Sequence, residues 1–108
     1  MRGDLPEVVG VCGAGTMGAG IAQVAVGCGM RTLLFDPLPE ALERGAARVR
    51  EGIARWRERG RLSPEQADGA LELLEPVGDL EALAPCELVI EAAPERLDLK
   101  HDLFRRLS

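Results

Sequence analysis

The spacing of apolar residues changes character several times along the chain, and each change marks an element. Val8-Val9-Gly10-Val11-Cys12 is a short β-branched run ending in glycines, the pattern of a buried parallel strand. Glycines at 13, 15 and 18 then punctuate the sequence. Beyond them Ile21, Val24, Ala25 and Cys28 recur at helical spacing, which predicts a helix, with Gly27 and Gly29 as its C-terminal stop. Arg31-Thr32-Leu33-Leu34-Phe35-Asp36 reads as a second strand, closed by Pro37. Strand, glycine turn, helix and strand together make one βαβ unit.

The middle of the chain has a helical period. From about Pro39 to Arg59, Leu42, Ala46, Val49, Ile53 and Trp56 repeat every three or four residues and give one buried stripe. Ser63-Pro64-Glu65-Gln66 is a helix start, with Ser63 as N-cap and Gln66 reaching back. That helix is expected to run to about Leu74, forming a helical hairpin hinged at Gly60. Pro76-Val77 reads as a brief strand, Asp79 to Leu83 as a short helical turn, and Glu87 to Ala92 as a further strand. Arg96 to Leu107 is predicted as a last helix with Leu97, Phe104 and Leu107 on one face. No repeat, linker or low-complexity stretch interrupts the series.

Composition narrows the function classes. The 108 residues, 46% hydrophobic and 29% charged, are enough for one small globular domain. A net charge of -5 argues against nucleic acid or an anionic membrane as the main partner. Aromatics at 3%, with no tyrosine, leave no base-stacking surface. Cys12, Cys28 and Cys86 are widely spaced without a CxxC, so no metal or redox role is expected, and a reducing, cytoplasmic setting is. Val8 to Met30 is a 23-residue stretch without a charge, but seven of its residues are glycine. Asp4 and Glu7 stand where a signal peptide carries basic residues. Charge is also divided: residues 44–61 hold seven arginines and two glutamates, whereas 65–98 hold ten acids and one arginine. A solvated helix face accounts for that basic arm; an anion contact is the alternative.

The glycine cluster carries the chemistry. Gly13-Ala14-Gly15-Thr16-Met17-Gly18 is a G-x-G-x-x-G placed between a strand and a helix. Gly13 permits the tight exit from the strand, Gly15 lets a pyrophosphate approach the backbone, and Gly18 lets the helix pack on the sheet. The helix N-terminus offers unpaired N–H groups to the phosphates. Asp36 ends the next strand 18 residues after Gly18, where a carboxylate accepts hydrogen bonds from the adenosine ribose. An acid there repels a 2′-phosphate, and Pro37 follows where an NADP enzyme often carries arginine, so NAD is expected over NADP. The turn alone does not separate NAD from FAD. The expected fold is α/β: a Rossmann-type parallel sheet with an inserted helical hairpin.

The letters themselves resemble a known family. Gly13 to Gln23, Leu34-Phe35-Asp36, and Leu88-Val89-Ile90-Glu91-Ala92-Ala93-Pro94-Glu95-Arg96-Leu97-Asp98-Leu99-Lys100 are similar to the NAD-binding domain of the 3-hydroxyacyl-CoA dehydrogenases, the bacterial 3-hydroxybutyryl-CoA dehydrogenases nearest. The resemblance runs from about Glu7 to Ser108 and includes the helical hairpin. It implies that the turn at Gly13, Ala14, Gly15, Thr16, Met17 and Gly18 holds the pyrophosphate and Asp36 the ribose. Ala92 would lie by the nicotinamide half of the cofactor. Glu95 and Lys100 match the family's E-x-L-x-x-K stretch, which contacts the nicotinamide side; read alone, they are a helix-start acid and a solvated lysine. In the family the hairpin helps to bind coenzyme A, and Arg55 and Arg59, on one helical face, are the candidates for its phosphates.

The family's catalytic His–Glu pair, assisted by Ser and Asn, finds no match here. His101 is the only histidine and follows the E-x-L-x-x-K stretch, so a solvated or partner-contacting role is expected. Four strands at most are foreseen, against about six in a complete doubly wound domain. The expectation is therefore an N-terminal portion of a longer enzyme, inactive alone, whose helical substrate and dimerisation domain lies elsewhere. The parent would be a homodimer oxidising a (3S)-3-hydroxyacyl-CoA with NAD. A stand-alone NAD-binding module, a sensor or assembly partner, is the alternative. The beta-hydroxyacid dehydrogenases share a G-x-G-x-M-G turn but lack the hairpin and the E-x-L-x-x-K block.

Overall fold

Residues 6–92 are described by the computed structural model. Four parallel strands lie in the order β3-β2-β1-β4, where β1 is Val8–Cys12, β2 Arg31–Phe35, β3 Leu74–Val77 and β4 Leu88–Glu91. Helix α1 (Thr16–Gly27) connects β1 to β2, and α2 (Pro39–Glu58) with α3 (Pro64–Glu72) connects β2 to β3. A single 3₁₀ turn, Leu80–Leu83, carries the chain back across to β4. The sheet is Rossmann-like, and the centre of the register is Gly10, paired with Leu33 on one side and Val89 on the other.

Strand alternation divides the core in two. Val9, Val11 and Leu34 face the helices and pack with Ala22, Val26, Val49 and Ile53. Cys12, Leu33 and Phe35 face the other way and pack with Leu80 and Leu83. Both faces are covered, which is why the strands read as continuous apolar runs. Thr32 is the exception, fully buried with its hydroxyl donating to the Met30 carbonyl at 3.0 Å. Each fully buried Leu, Ile or Val contributes roughly 1.5–3 kcal/mol.

The helix predicted from Ile21, Val24, Ala25 and Cys28 forms as α1, and its buried residues are Gly18, Ala19, Ala22, Ala25 and Val26, with Ile21 packed partly against the core, Val24 53% exposed and Cys28 exposed. α1 is squeezed between the sheet and α2, and small residues permit that approach better than large ones. The second helix of the hairpin stops at Glu72, because Leu74 already belongs to β3. Pro76 sits inside that strand without harm, since β3 is the sheet edge and needs no outward N–H there. Gly60 does form the hairpin bend, with a φ of +76°. The helix predicted at Arg96 to Leu107 lies outside the described residues. No described helix is long and apolar enough to cross a membrane.

Local chemistry explains the hairpin's second arm. Ser63 Oγ accepts from the Gln66 N–H at 3.0 Å, and Gln66 Oε1 accepts from the Ser63 N–H at 2.8 Å. Both bonds satisfy donors that the helix start leaves unpaired. Ser63→Ala is expected to cost about 1 kcal/mol, read as a lower urea midpoint with unchanged slope, whereas Ser63→Asp keeps the midpoint.

Candidate functional site

The site is built where β1 ends. Gly13 has a φ of 113°, a backbone conformation that L side chains rarely adopt, and its N–H donates to the Phe35 carbonyl at 2.7 Å. Gly15 follows as the N-cap of α1, in extended conformation and with no side chain capping the helix. The first-turn N–H groups therefore point outward without a side-chain acceptor. A Cβ added at Gly15 would meet nothing within 4 Å, so the space above those donors is open. A Cβ at Gly18 would collide with the Gly13 carbonyl oxygen and stand 3.5 Å from the Ala92 side chain. Gly18 thus brings the helix start against both the turn and the end of β4. Ala92 is fixed there by its N–H, which donates to the Cys12 carbonyl at 2.9 Å. Open donors at the positive end of a helix dipole fit a diphosphate.

Asp36 does more than its position at a strand end suggested. Its Oδ2 accepts from the Ala14 N–H at 2.8 Å and its Oδ1 from the Leu38 N–H at 2.9 Å. The half-buried carboxylate braces the glycine turn against the β2 exit, and its remaining lone pairs are free to accept ribose hydroxyls. Beside it lies a groove of about 370 Å³ with Pro37, Leu42, Ala46, Arg50 and Pro76 in its walls. That volume suits an adenosine, and the walls combine apolar side chains with the charged Glu43 and Arg50. Nothing in the residue spacing around Asp36 pointed to its bond with Ala14, whereas the bond from Leu38, two residues on, is the local turn bond an Asp before proline favours.

Helix α2 approaches the turn closely through its glycines. A Cβ at Gly45 would overlap Ala14, and one at Gly52 would overlap the Gln23 amide. This approach carries Arg48 to the start of α1, where its Nη1 donates to Thr16 Oγ1 at 3.2 Å. Arg48 was not singled out in the sequence; the signal was present, since it lies three residues after Gly45 on the same side of α2. Arg55 shares a groove of about 330 Å³ with Thr16, Gln23, Arg48 and Glu51. Arg59 does not line it: it is exposed as the C-cap of α2, its N–H bonded to the Arg55 carbonyl. The hairpin's two candidate cations are therefore in different surroundings. Glu95, Lys100 and His101 lie outside the described residues. Cys86 is half-buried, and burial pushes its thiol pKa up, with Arg31 pulling the other way. Deprotonation is thereby disfavoured, which suits a packing role against Leu83 and Gly10.

Comparison with known proteins decides among dinucleotide folds. The family described as "3-hydroxyacyl-CoA dehydrogenase, NAD binding domain" matches residues 8–108. The chain belongs to that family. It is 45% identical over 102 residues to the 3-hydroxyadipyl-CoA dehydrogenase of Escherichia coli strain K12, covering 94% of this chain and 22% of the relative. It is 39% identical over 101 residues to a probable 3-hydroxybutyryl-CoA dehydrogenase of Deinococcus radiodurans, covering 92% and 35% respectively. Among solved structures, the 3-hydroxybutyryl-CoA dehydrogenase of Escherichia coli K12 superposes with a TM-score of 0.85 at 45% identity, over 95% of this chain and 22% of that one. The (S)-3-hydroxybutyryl-CoA dehydrogenase of Ralstonia eutropha gives 0.83 at 31% identity, over 95% and 36%. The chain thus spans about a fifth to a third of the length of these relatives. As a member of this NAD-binding domain family, it takes NAD as its cofactor, and FAD is set aside.

Proposed function

We propose that this chain supplies the cofactor-binding part of an NAD-dependent dehydrogenase acting on (3S)-3-hydroxyacyl-CoA thioesters. The observation that carries the reading is the uncapped start of α1 above an open Gly15, with Asp36 braced beside an adenosine-sized groove. In this reading the backbone of Gly13 to Gly18 holds the diphosphate, Asp36 accepts the ribose hydroxyls, and Ala92 borders the nicotinamide half. Glu95 and Lys100 contact the nicotinamide side. When bound, NAD supplies the ring that accepts hydride from the substrate's 3-carbon. Removal of the hydroxyl proton falls to residues outside these 108. The resemblance to the family further supports a cytoplasmic homodimer assembled through a domain beyond this chain. The acyl group differs between the relatives' names, so chain length is left to the assay.

The test is NADH formation by the parent protein with 3-hydroxyacyl-CoA thioesters of several lengths. Turnover with NAD and at least one thioester is expected; none with any of them would favour the stand-alone module. Arg55 faces the groove beside α1, so in the parent Arg55→Glu is expected to raise the KM for the thioester about tenfold, the scale of one charge-assisted contact, with kcat kept. Arg59→Glu is expected to do less. An unaltered KM in both removes the hairpin from coenzyme A binding.

A further inference from the structure

We infer that Arg48 is a diphosphate-binding residue, supplied by α2 to the first turn of α1. The inference rests on the proposed cofactor site and adds to it a cation that the glycine motif does not contain. Its guanidinium is held at Thr16, the first residue of α1, by the 3.2 Å bond to Oγ1. That bond uses one of the guanidinium's N–H donors and leaves the others available. Arg48 pairs with no carboxylate among the described residues; Glu51, one turn further along α2, lines the same groove without forming an ion pair with it.

Position, more than charge, makes the case. An exposed arginine on a helix commonly waves in solvent. Here the backbone of α2 is locked against the turn, because Gly45 lies where any side chain would overlap Ala14. Arg48 is the next residue on that side, one turn below Gly45, so its base is as fixed as the turn itself. The chain is otherwise acidic at -5, and an acid, Asp36, stands at the far side of the same turn. A diphosphate carried there needs a counter-charge, and a planar fork of donors matches its oxygens. Dinucleotide cofactor and coenzyme A both carry a diphosphate, so the chemistry is shared and the source is settled by titration.

The experiment titrates the full chain and its Arg48→Met variant with NADH, coenzyme A and adenosine, at low and moderate salt. Arg48 is exposed, so the variant is expected to keep the wild-type urea midpoint. NADH binding is expected to weaken about tenfold, with a shallower dependence on salt, while adenosine binds as before. A loss confined to coenzyme A would assign Arg48 to that diphosphate instead. Unchanged affinities for both diphosphates, or an equal loss for adenosine, would overturn the inference. Its failure is separable from that of the cofactor site, which fails if wild type takes up no NADH or if Asp36→Ala binds NADH as wild type does. Arg48→Lys completes the set: a retained charge without the fork should restore only part of the affinity.

Discussion

Gly18→Val is expected to abolish NADH binding and to destabilise the domain by about 3 kcal/mol or more, the upper range for forcing atoms into a packed site. The reason lies in one contact: a Cβ at this position would collide with the Gly13 carbonyl oxygen. Backbone cannot swing aside as the tip of a side chain can. Either the turn opens or α1 lifts from β4, and both displace the donors proposed to hold the diphosphate. Gly15 provides the contrast. A side chain there meets nothing within 4 Å, so Gly15→Val should fold with nearly normal stability while its methyl groups occupy the phosphate's space. Urea unfolding and NADH titration on the two variants check this. Equal stability losses in both, or NADH binding by Gly15→Val, would contradict the division of labour between the glycines.

Asp36→Ala is the second large effect, and it acts twice. Removing the carboxylate takes away the proposed ribose acceptor, which should weaken NADH at least about tenfold and narrow its preference over NADPH. It also strands the N–H of buried Ala14, which loses its acceptor at 2.8 Å, while the N–H of exposed Leu38 can turn to water. A part-buried donor left unmatched costs about 1–3 kcal/mol, so the urea midpoint should fall as well. Asp36→Asn separates the two roles. Its single carbonyl oxygen can serve one of the two N–H groups, so stability should recover in part, while the lost negative charge still relaxes rejection of a 2′-phosphate. Titrations of both nucleotides that match wild type would end the ribose role.

Much of this architecture was legible in the sequence because the signals were local. Val8 to Cys12, the G-x-G-x-x-G, and the Ser63–Gln66 box each specify an element through neighbours a few residues apart, and each element stands where expected. What escaped was set by packing between elements. The buried side of α1 could not be found by ranking hydrophobic residues, because nearly every residue of Thr16–Gly27 is apolar or glycine and the close approach of α2 selects the small ones. Val24 and Met17 consequently lie exposed, along a groove with Leu88 and Ile90 beside β4. For the same reason the bond from the Ala14 N–H to Asp36 and the arrival of Arg48 at Thr16 were invisible: both join residues more than twenty apart in sequence through a tertiary contact. The strand of Leu74–Val77 was only half seen, because Pro76 disguises it and only its edge position makes that proline tolerable.

We propose that the turn and Asp36 together hold NAD and discriminate against NADP. Paired calorimetric titrations of the chain with NADH and NADPH test it most directly. NADH is expected to bind saturably, one per chain, and NADPH at least about tenfold more weakly, the worth of one like-charge clash beside Asp36. No saturable uptake of NADH, or NADPH bound as tightly as NADH, would contradict it.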